Sequence, residues 1–522
     1  MNDKIISVGQ AVDLLKDGMT MSTEGFTTTL FPEFIGEAVV ARFETTGHPR
    51  GIEIFASGGK GDGGKTDLGL NKFAKDGLVR KITISHMGTN RKIEDLAYEN
   101  KIEAYCLPQG VICQLFRAKA SGHPGILTKV GIGTFIDPRI SDESKVNRIA
   151  TDSIVEVVNL QGEDYLFYKT HHIDVAYLKG SIADEDGNIS IEREPLDLDV
   201  FHIAMATKAS GGKVVFQVDT IVKRGTLRAR QIKIPKIFVD YVVVAPCEKH
   251  RMSKITYYNP SYTGDINVVV QKKSSSEAVL QDFDRMIIQR RAAMELAKVN
   301  GIVNFGIGLP DGVDSAANEM GLKMGEYVTT IESGVIGGLP NAGDEFGTAI
   351  SPSAIINAVD MFGLYDGIGI DLAVLGMGEA DANGNVNVTK FGVRVPGPGG
   401  FINISGGAKK VVFLGTFTTK GLVVAAENGK LCIKQEGSIK KLVAKVQQVS
   451  FSGGQASLKG KEVLYITERA VFVLRDDKLV LSEIAPGVDV QRDIIGQMDF
   501  IPEIDPCLKQ MDARIFSFQR RQ

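Results

Sequence analysis

Short runs of branched apolar residues alternate along the chain with longer stretches in which apolar and charged positions recur at helical spacing. Gly51 to Ala56 followed by Leu68 to Val79 is one such pair, and it predicts a strand and then a helix. Repeated from end to end, the pattern predicts an α/β chain. Runs such as Tyr241 to Ala245 and Val411 to Leu414 are about five residues long, well short of the roughly 20 needed to cross a bilayer.

The pattern also repeats on a larger scale. Ile173-Asp174-Val175-Ala176-Tyr177-Leu178 resembles Ile370-Asp371-Leu372-Ala373-Val374-Leu375, and the two continue to Asp184, Gly187 and Asn188 and to Asp381, Gly384 and Asn385. The same offset, without a gap, brings Lys213-Val214-Val215-Phe216 onto Lys410-Val411-Val412-Phe413. Agreement at separated places predicts two related domains in tandem, 1–270 and 278–522. The polar stretch at about 246–277, with Asn259-Pro260, Thr263-Gly264-Asp265 and Lys272-Lys273-Ser274-Ser275-Ser276, has the chemistry of a linker. A helical pattern from Asp282 to Asn300 opens the second domain.

Composition narrows the function. With 60 Lys plus Arg against 63 Asp plus Glu among 522 residues, the net charge is -3, which argues against a nucleic-acid partner. Met1 to Lys16 lacks the apolar stretch and cleavage site of a signal peptide, so a cytoplasmic location without membrane association is expected. The 5 cysteines are scattered without CxxC spacing, which predicts small buried thiols rather than disulfides or structural zinc; no metal is expected. All 7 histidines fall at or before His250, so chemistry in the second half has no histidine to use as a base. His171 and His172 are read as loop histidines without a role.

Three glycine-rich segments invite a ligand. Gly59 to Thr66 satisfies the Walker A pattern, which would make the chain an NTPase. Gly306 and Gly308 with Gly312 resemble a dinucleotide fingerprint, and Glu332 lies where a ribose-binding acid would stand, the signature of an NAD-dependent oxidoreductase. Gly397-Pro398-Gly399-Gly400 is a tight turn able to expose amide donors. The first copy of the repeat has His202 and Ile203 in place of Gly399 and Gly400, so the shared fold does not demand glycine there. Glu332 itself ends an apolar run and enters Ser333-Gly334-Val335-Ile336-Gly337-Gly338, where a backbone almost without side chains lets a large substrate approach a carboxylate. A protein that binds acyl-CoA without exchange is a further, non-catalytic alternative.

Glu332-Ser333-Gly334-Val335-Ile336-Gly337 resembles the catalytic glutamate segment of family I coenzyme A transferases, and Gly397 to Ile404 resembles their glycine-rich oxyanion segment. Asn304 to Pro310, Tyr465 to Phe472, Glu483 to Asp489, Gly25-Phe26 with Pro32-Glu33, Pro108-Gln109-Gly110 and Gly131 to Arg139 are similar too, so the likeness covers nearly the whole chain. It is strongest toward the single-chain propionate or acetate CoA-transferases and the bacterial acetoacetyl-CoA transferases. The resemblance implies two domains, each an open, mainly parallel sheet flanked by helices. It implies transfer of CoA between short-chain carboxylic acids such as acetate, propionate, butyrate and acetoacetate, by a ping-pong mechanism through a glutamyl-CoA thioester. It implies Glu332 as the nucleophile, with Gly399, Gly400 and Gln109 around the acyl oxygen and Gly334, Gly337, Gly338, Phe401 and Asn403 along the CoA. An acyl-CoA thioester would be the substrate, with no tightly bound cofactor. A homo-oligomer, dimer or tetramer, is expected on the same ground. Glu379, Asp381 and Asn385 lie in the repeated segment and are expected to be structural, with Glu379 the one that the first copy lacks.

Overall fold

Valine- and isoleucine-rich runs bounded by glycine or charge become inner strands, because a parallel sheet covered on both faces leaves no solvent side to be polar. The computed structural model describes residues 4–141, 144–268 and 282–517. They form two compact units, the first from the described part of Met1–Val268 with Ile331–Leu364 and Val393–Asn403, the second from the rest.

In the first unit, β1 (Thr20–Thr23), β2 (Ile52–Phe55), β3 (Val79–Ile84), β4 (Glu103–Cys106), β5 (Val175–Lys179), β6 (Lys213–Val218) and β7 (Tyr241–Val244) make a 7-stranded sheet in the order β7-β6-β5-β1-β2-β3-β4. Every pairing is parallel. The chain leaves β1 toward one edge and β5 toward the other, which creates a topological switch point between them, the place where such sheets bind ligands at their carboxyl ends. β5 is buried along its whole length. Ile35, Val39, Ile54, Ile82, Ile93 and Val215 belong to the core that the sheet and its helices enclose.

In the second unit, β8 (Gly301–Phe305), β9 (Tyr327–Ile331), β10 (Ile370–Gly376), β11 (Ala408–Leu414), β12 (Glu462–Ile466), β13 (Ala470–Arg475), β14 (Lys478–Ile484) and β15 (Glu503–Gln510) follow the order β9-β8-β10-β11-β12-β13-β14-β15. The pairings from β9 to β12 are parallel, and β13 is antiparallel to both its neighbours.

The internal repeat holds to the residue. Lys213 lies opposite Val175 and Val214 opposite Ala176, as Lys410 lies opposite Leu372 and Val411 opposite Ala373. The turns that follow are duplicates as well. Asp184 accepts from the Asn188 amide N–H at 2.9 Å and the Asn188 side chain at 2.8 Å, and Asp381 accepts from both groups of Asn385 at 3.1 Å. Asp381 and Asn385 thus hold a turn, as the repeat predicts. Glu379 accepts from Asn387 Nδ2 at 2.9 Å and the Gln447 N–H at 3.0 Å, a structural use.

Some local expectations fail for identifiable reasons. Leu68 to Val79 does not form one helix: Gly69–Phe73 is a single 3-10 turn and β3 begins at Val79. Asn71 spends its side chain on the carbonyls of Leu68 and Thr89 at 3.2 and 3.1 Å, and so fixes a loop against the fold rather than a helix surface. The helix expected from Asp282 runs over Phe283–Leu296. Cys106 and Cys113 are buried, but Cys247 and Cys507 are exposed, in contrast to the buried thiols expected of all five. Of the stretch 246–277, the part up to 268 folds onto the first unit, where the hydroxyls of Ser253 and Tyr262 donate to Glu345 at 2.7 and 2.9 Å. Residues 269–277 lie outside the described residues. Among the described residues no helix is long and apolar enough to cross a membrane.

The turn between β12 and β13 carries an ion cluster in which Arg469 and Glu468 are fully buried and Glu436 is half-buried. Arg469 donates to Glu468 at 2.6 Å, to Glu436 at 2.7 Å and to the Asp493 carbonyl at 3.1 Å, while Glu468 also accepts from the Phe417 N–H at 2.8 Å. Removing the cation leaves a buried carboxylate without its partner, so Arg469→Met is expected to cost about 3–5 kcal/mol. The check is an earlier urea midpoint in the unfolding of the second unit.

Candidate functional site

The carboxyl ends of β1 to β4 carry Phe26, Ser57-Gly58, Ser85-His86 and Gln109 in turn. Gln109 opens the helix α1 (Gln109–Ala120), whose first amides need acceptors from outside the helix. The glycine-rich segment supplies them. The Gln109 N–H donates to the Gly399 carbonyl at 2.9 Å and the Gly110 N–H to Asn403 Oδ1 at 3.1 Å. The same segment is tied to the end of β3, where the Gly399 N–H donates to the Ser85 carbonyl at 2.9 Å and the Met87 N–H to the Pro396 carbonyl at 2.7 Å. Gly397 could not carry a side chain there, because its φ is +87° and a Cβ would lie 2.6 Å from the Ser85 carbonyl. Of the two candidate amides, that of Gly399 is therefore engaged. The N–H of Gly400, a buried residue, has no acceptor among the described residues. Buried donors are nearly always paired in native proteins, so this one is free for a ligand oxygen. The Gln109 side chain is buried and its amide makes no hydrogen bond among the described residues.

Glu332 follows directly on β9. Its loop is fastened on both sides of the carboxylate. Ser333 Oγ donates to the Gly347 carbonyl at 2.5 Å, and Val335–Ile336 pairs antiparallel with Ala354–Ile355. Gly334 takes a φ of +110° with its Cα against the Ile356 carbonyl, where a Cβ would lie 1.9 Å from the oxygen. The loop reaches the end of β1 as well. Thr27 Oγ1 donates to the Phe346 carbonyl at 2.9 Å, Thr28 Oγ1 to the Asp344 carbonyl at 2.6 Å, and the Phe26 and Phe346 rings lie 5.9 Å apart. Gly347 rests against Phe26, and a Cβ on Gly58 would lie 3.3 Å from the Phe26 ring and 3.4 Å from the Gln109 Nε2. Glu332, Gln109 and Gly400 therefore belong to one compact unit and are linked through packed residues.

Burial pushes the Glu332 carboxyl up to about 7, opposed only by its own backbone amide. Among the described residues no cation or side-chain donor faces it. Glu332 is half-buried, and a carboxylate with reduced hydration and no counter-charge is a stronger nucleophile than a fully solvated one.

Gly337 and Gly338 lie further along the same loop, and Phe401 begins the helix Phe401–Gly407. Asn403 has its side-chain oxygen committed to Gly110. The sequence reading did not single out Phe26 or Gly58 as neighbours of Gln109, nor His86, whose backbone and ring flank Gly397 and Gly399. The Gly25-Phe26 pattern is the available signal for one of them, Phe26. His171, read as a loop residue, is stacked on Phe55 at 4.2 Å and burial lowers it to about 4.

The rival motifs have other uses. After Thr66 comes no α-helix to point amides at a phosphate; Thr66 donates its hydroxyl to Asp62 at 2.7 Å, and Lys65 pairs with Asp344. At the other motif the Gly308 N–H donates to Asp311 at 3.0 Å, which places a carboxylate where a pyrophosphate would have to sit. Neither the NTPase nor the oxidoreductase reading is supported.

Residues 5–245 match the family model described as Coenzyme A transferase. A caffeate CoA-transferase of Acetobacterium woodii is 43% identical, over 98% of this chain and 97% of its own length. The acetate CoA-transferase YdiF of Escherichia coli O157:H7 is 38% identical, over 98% of this chain and 95% of its own. A crystal structure of YdiF from the same organism, described as a thioester complex with CoA, has a TM-score of 0.90 at 36% identity, covering 99% of this chain and 96% of that one. With relatives matched along nearly their whole length and a solved structure of the same overall fold, the chain belongs to the coenzyme A transferase family and is an enzyme that moves CoA from an acyl-CoA to a carboxylate.

Proposed function

We propose that this enzyme exchanges CoA between short-chain carboxylic acids, among them acetate, propionate, butyrate and acetoacetate, by a ping-pong mechanism in which Glu332 carries the CoA as a thioester. The observation that carries the reading is the Glu332 carboxylate itself, half-buried and uncompensated beside a loop nearly free of side chains. The relative described as a thioester complex with CoA supports the same intermediate.

Glu332 attacks the thioester carbonyl of the acyl-CoA, giving an acyl-glutamyl anhydride and CoA thiolate. The thiolate attacks the glutamyl carbonyl, releasing the first acid as its carboxylate and leaving glutamyl-CoA. The second carboxylate attacks glutamyl-CoA, expelling thiolate to form a new anhydride, and the thiolate then takes the new acyl group, so Glu332 is regenerated. Each addition develops an oxyanion. The free Gly400 N–H and the Gln109 side-chain amide are the donors we assign to it, with Gly399 holding the turn that presents them. Loss of one such donor costs on the order of 3 kcal/mol in the transition state. The bare surface of Gly334, Gly337 and Gly338 and the ring of Phe401 lie along the path we assign to CoA, with Asn403 fixing that path through Gly110. CoA enters as a substrate, and no other cofactor takes part in this scheme. A cytoplasmic homo-oligomer, dimer or tetramer, is the accompanying proposal.

The acid remains to be chosen. A relative at 43% identity is named for caffeate and one at 38% for acetate, so a substrate panel should include both an aryl acid and the short aliphatic ones. One methylene alters selectivity by only about 1–3 kcal/mol, so several acids of the preferred class are expected to turn over.

Incubation with acyl-CoA and no acceptor should leave the mass of CoA on the peptide containing Glu332. Glu332→Gln should show no adduct and Glu332→Asp should lose about a hundredfold or more in exchange rate through misplacement of the nucleophile. Exchange at the parent rate in either variant would remove Glu332 from the mechanism. Because only the ionised carboxylate attacks, kcat/KM for acyl-CoA should fall about tenfold per unit as the pH drops below about 7. The same group should destabilise the fold in alkali. Its folded value lies above the unfolded one, so the native state binds the extra proton and stability declines as pH rises from about 4.5 to about 7. Glu332→Gln should thus melt higher than the parent at pH 8 and lose that advantage near pH 4, a comparison that thermal unfolding at the two pH values makes directly.

A further inference from the structure

The lysine inside the Walker-like motif is not on the surface. Lys60 is 0% exposed and donates to the carbonyls of Ser57 at 3.3 Å and Gly58 at 3.1 Å. Two buried carboxyls share its surroundings. Glu24 accepts from the Gly25 N–H at 2.9 Å and the Asp199 N–H at 3.0 Å, and Asp199 accepts from the Cys113 thiol at 3.1 Å. The other Asp199 oxygen is buried without a partner. Burial lowers Lys60 and raises Glu24 and Asp199, and the charges of the two acids oppose the effect on Lys60.

A use for Lys60 is visible in what it holds. Gly58, whose carbonyl it clamps, lies so close to its neighbours that a Cβ there would be 3.3 Å from the Phe26 ring and 3.4 Å from the Gln109 Nε2. The peptide that Lys60 holds therefore lies next to the Gln109 amide, with no room between them for more than a methyl group. We propose that Lys60 is a positioning residue for CoA transfer: its buried amine clamps the Ser57 and Gly58 carbonyls and so keeps the Gln109 amide aimed at the acyl oxygen. This rests on the reading of Glu332 as nucleophile and Gln109 as oxyanion donor given above. Lys60 touches neither substrate nor reacting atoms; it acts through Gly58 on Gln109.

Lys60→Met keeps the length of the side chain and removes the amine. Its kcat should fall by about tenfold to a hundredfold with KM for acyl-CoA within about threefold of the parent, since a positioning loss affects the transition state and not the remote CoA contacts. Combined with Gln109→Ala, it should add no more than about threefold to the loss that Gln109→Ala causes alone, because both changes remove one interaction. A role in stability alone would multiply the two losses, and that outcome, or a parental kcat for Lys60→Met, overturns the proposal. Should Lys60→Met fail to fold, Gly58→Ala tests the same contact with the amine intact and should show the same loss and the same lack of additivity. If Gln109→Ala retains the parental rate while the CoA adduct still forms on Glu332, the role of Gln109 falls and Lys60's with it, yet the nucleophile stands. If no adduct forms in the parent enzyme, the underlying mechanism fails first.

Discussion

The site depends on one short lacing of backbone, the hydrogen bonds by which the segment 396–403 closes over the ends of β3 and β4. The helix α1 begins with amides that have no acceptor of their own, and the Gly399 carbonyl and the Asn403 side chain take them. In return, the Gly399 N–H is spent on Ser85. These bonds fix Gln109 at the head of its helix and leave the neighbouring Gly400 amide buried and unspent. A buried donor in that state is open to an acceptor from outside the protein, which is the ground for the oxyanion role proposed for it. Bulk is excluded from the turn for the same reason, since Gly397 lies against the Ser85 carbonyl.

The glutamate is prepared by a different means. Nothing in the described residues neutralises Glu332, and its loop is held by bonds that involve other groups: Ser333 to Gly347, Thr27 to Phe346, Thr28 to Asp344. The fold thus controls the position of the carboxylate without quenching its charge. That separation matters to the chemistry, because a salt bridge strong enough to place a nucleophile would also weaken it. The contrast with Glu468, locked between Arg469 and the Phe417 amide, shows the same residue type put to structural use in the same chain.

The site residues are distributed along the sequence in a way that only parallel topology reconciles. Phe26, Gly58, His86 and Gln109 follow successive strands of one sheet and share its carboxyl edge. The second copy of the repeat preserves the strand register and the Asp-Asn turn, while glycines replace His202 and Ile203 at the turn that lies against Ser85. The two copies thus share a scaffold, and at this turn the second copy carries less side-chain bulk than the first.

Much of this was legible beforehand. Strand runs, the tandem repeat, the glutamate at a strand end and the bare loop after it are properties of residue order, because period, turn residues and side-chain size are local. The family likeness pointed to Glu332 as the nucleophile and to the segment from Gly397 as the oxyanion site, and the relatives matched over nearly their whole length agree with it at the level of the family. The sequence misjudged Leu68 to Val79, where apolar spacing suited a helix but the Asn71 contacts made a loop, and it took Gly59 to Thr66 for a possible phosphate cradle. Those readings failed because the direction a side chain points is not encoded in spacing. By itself the chain's order determined which elements form, how they repeat and which carboxylate stands at a strand's end. Only tertiary structure decided that Lys60 turns inward to hold a backbone, that Gly399 spends its amide while Gly400 keeps its own, and that Glu332 sits near neutrality, since each depends on atoms brought close by folding from distant parts of the sequence.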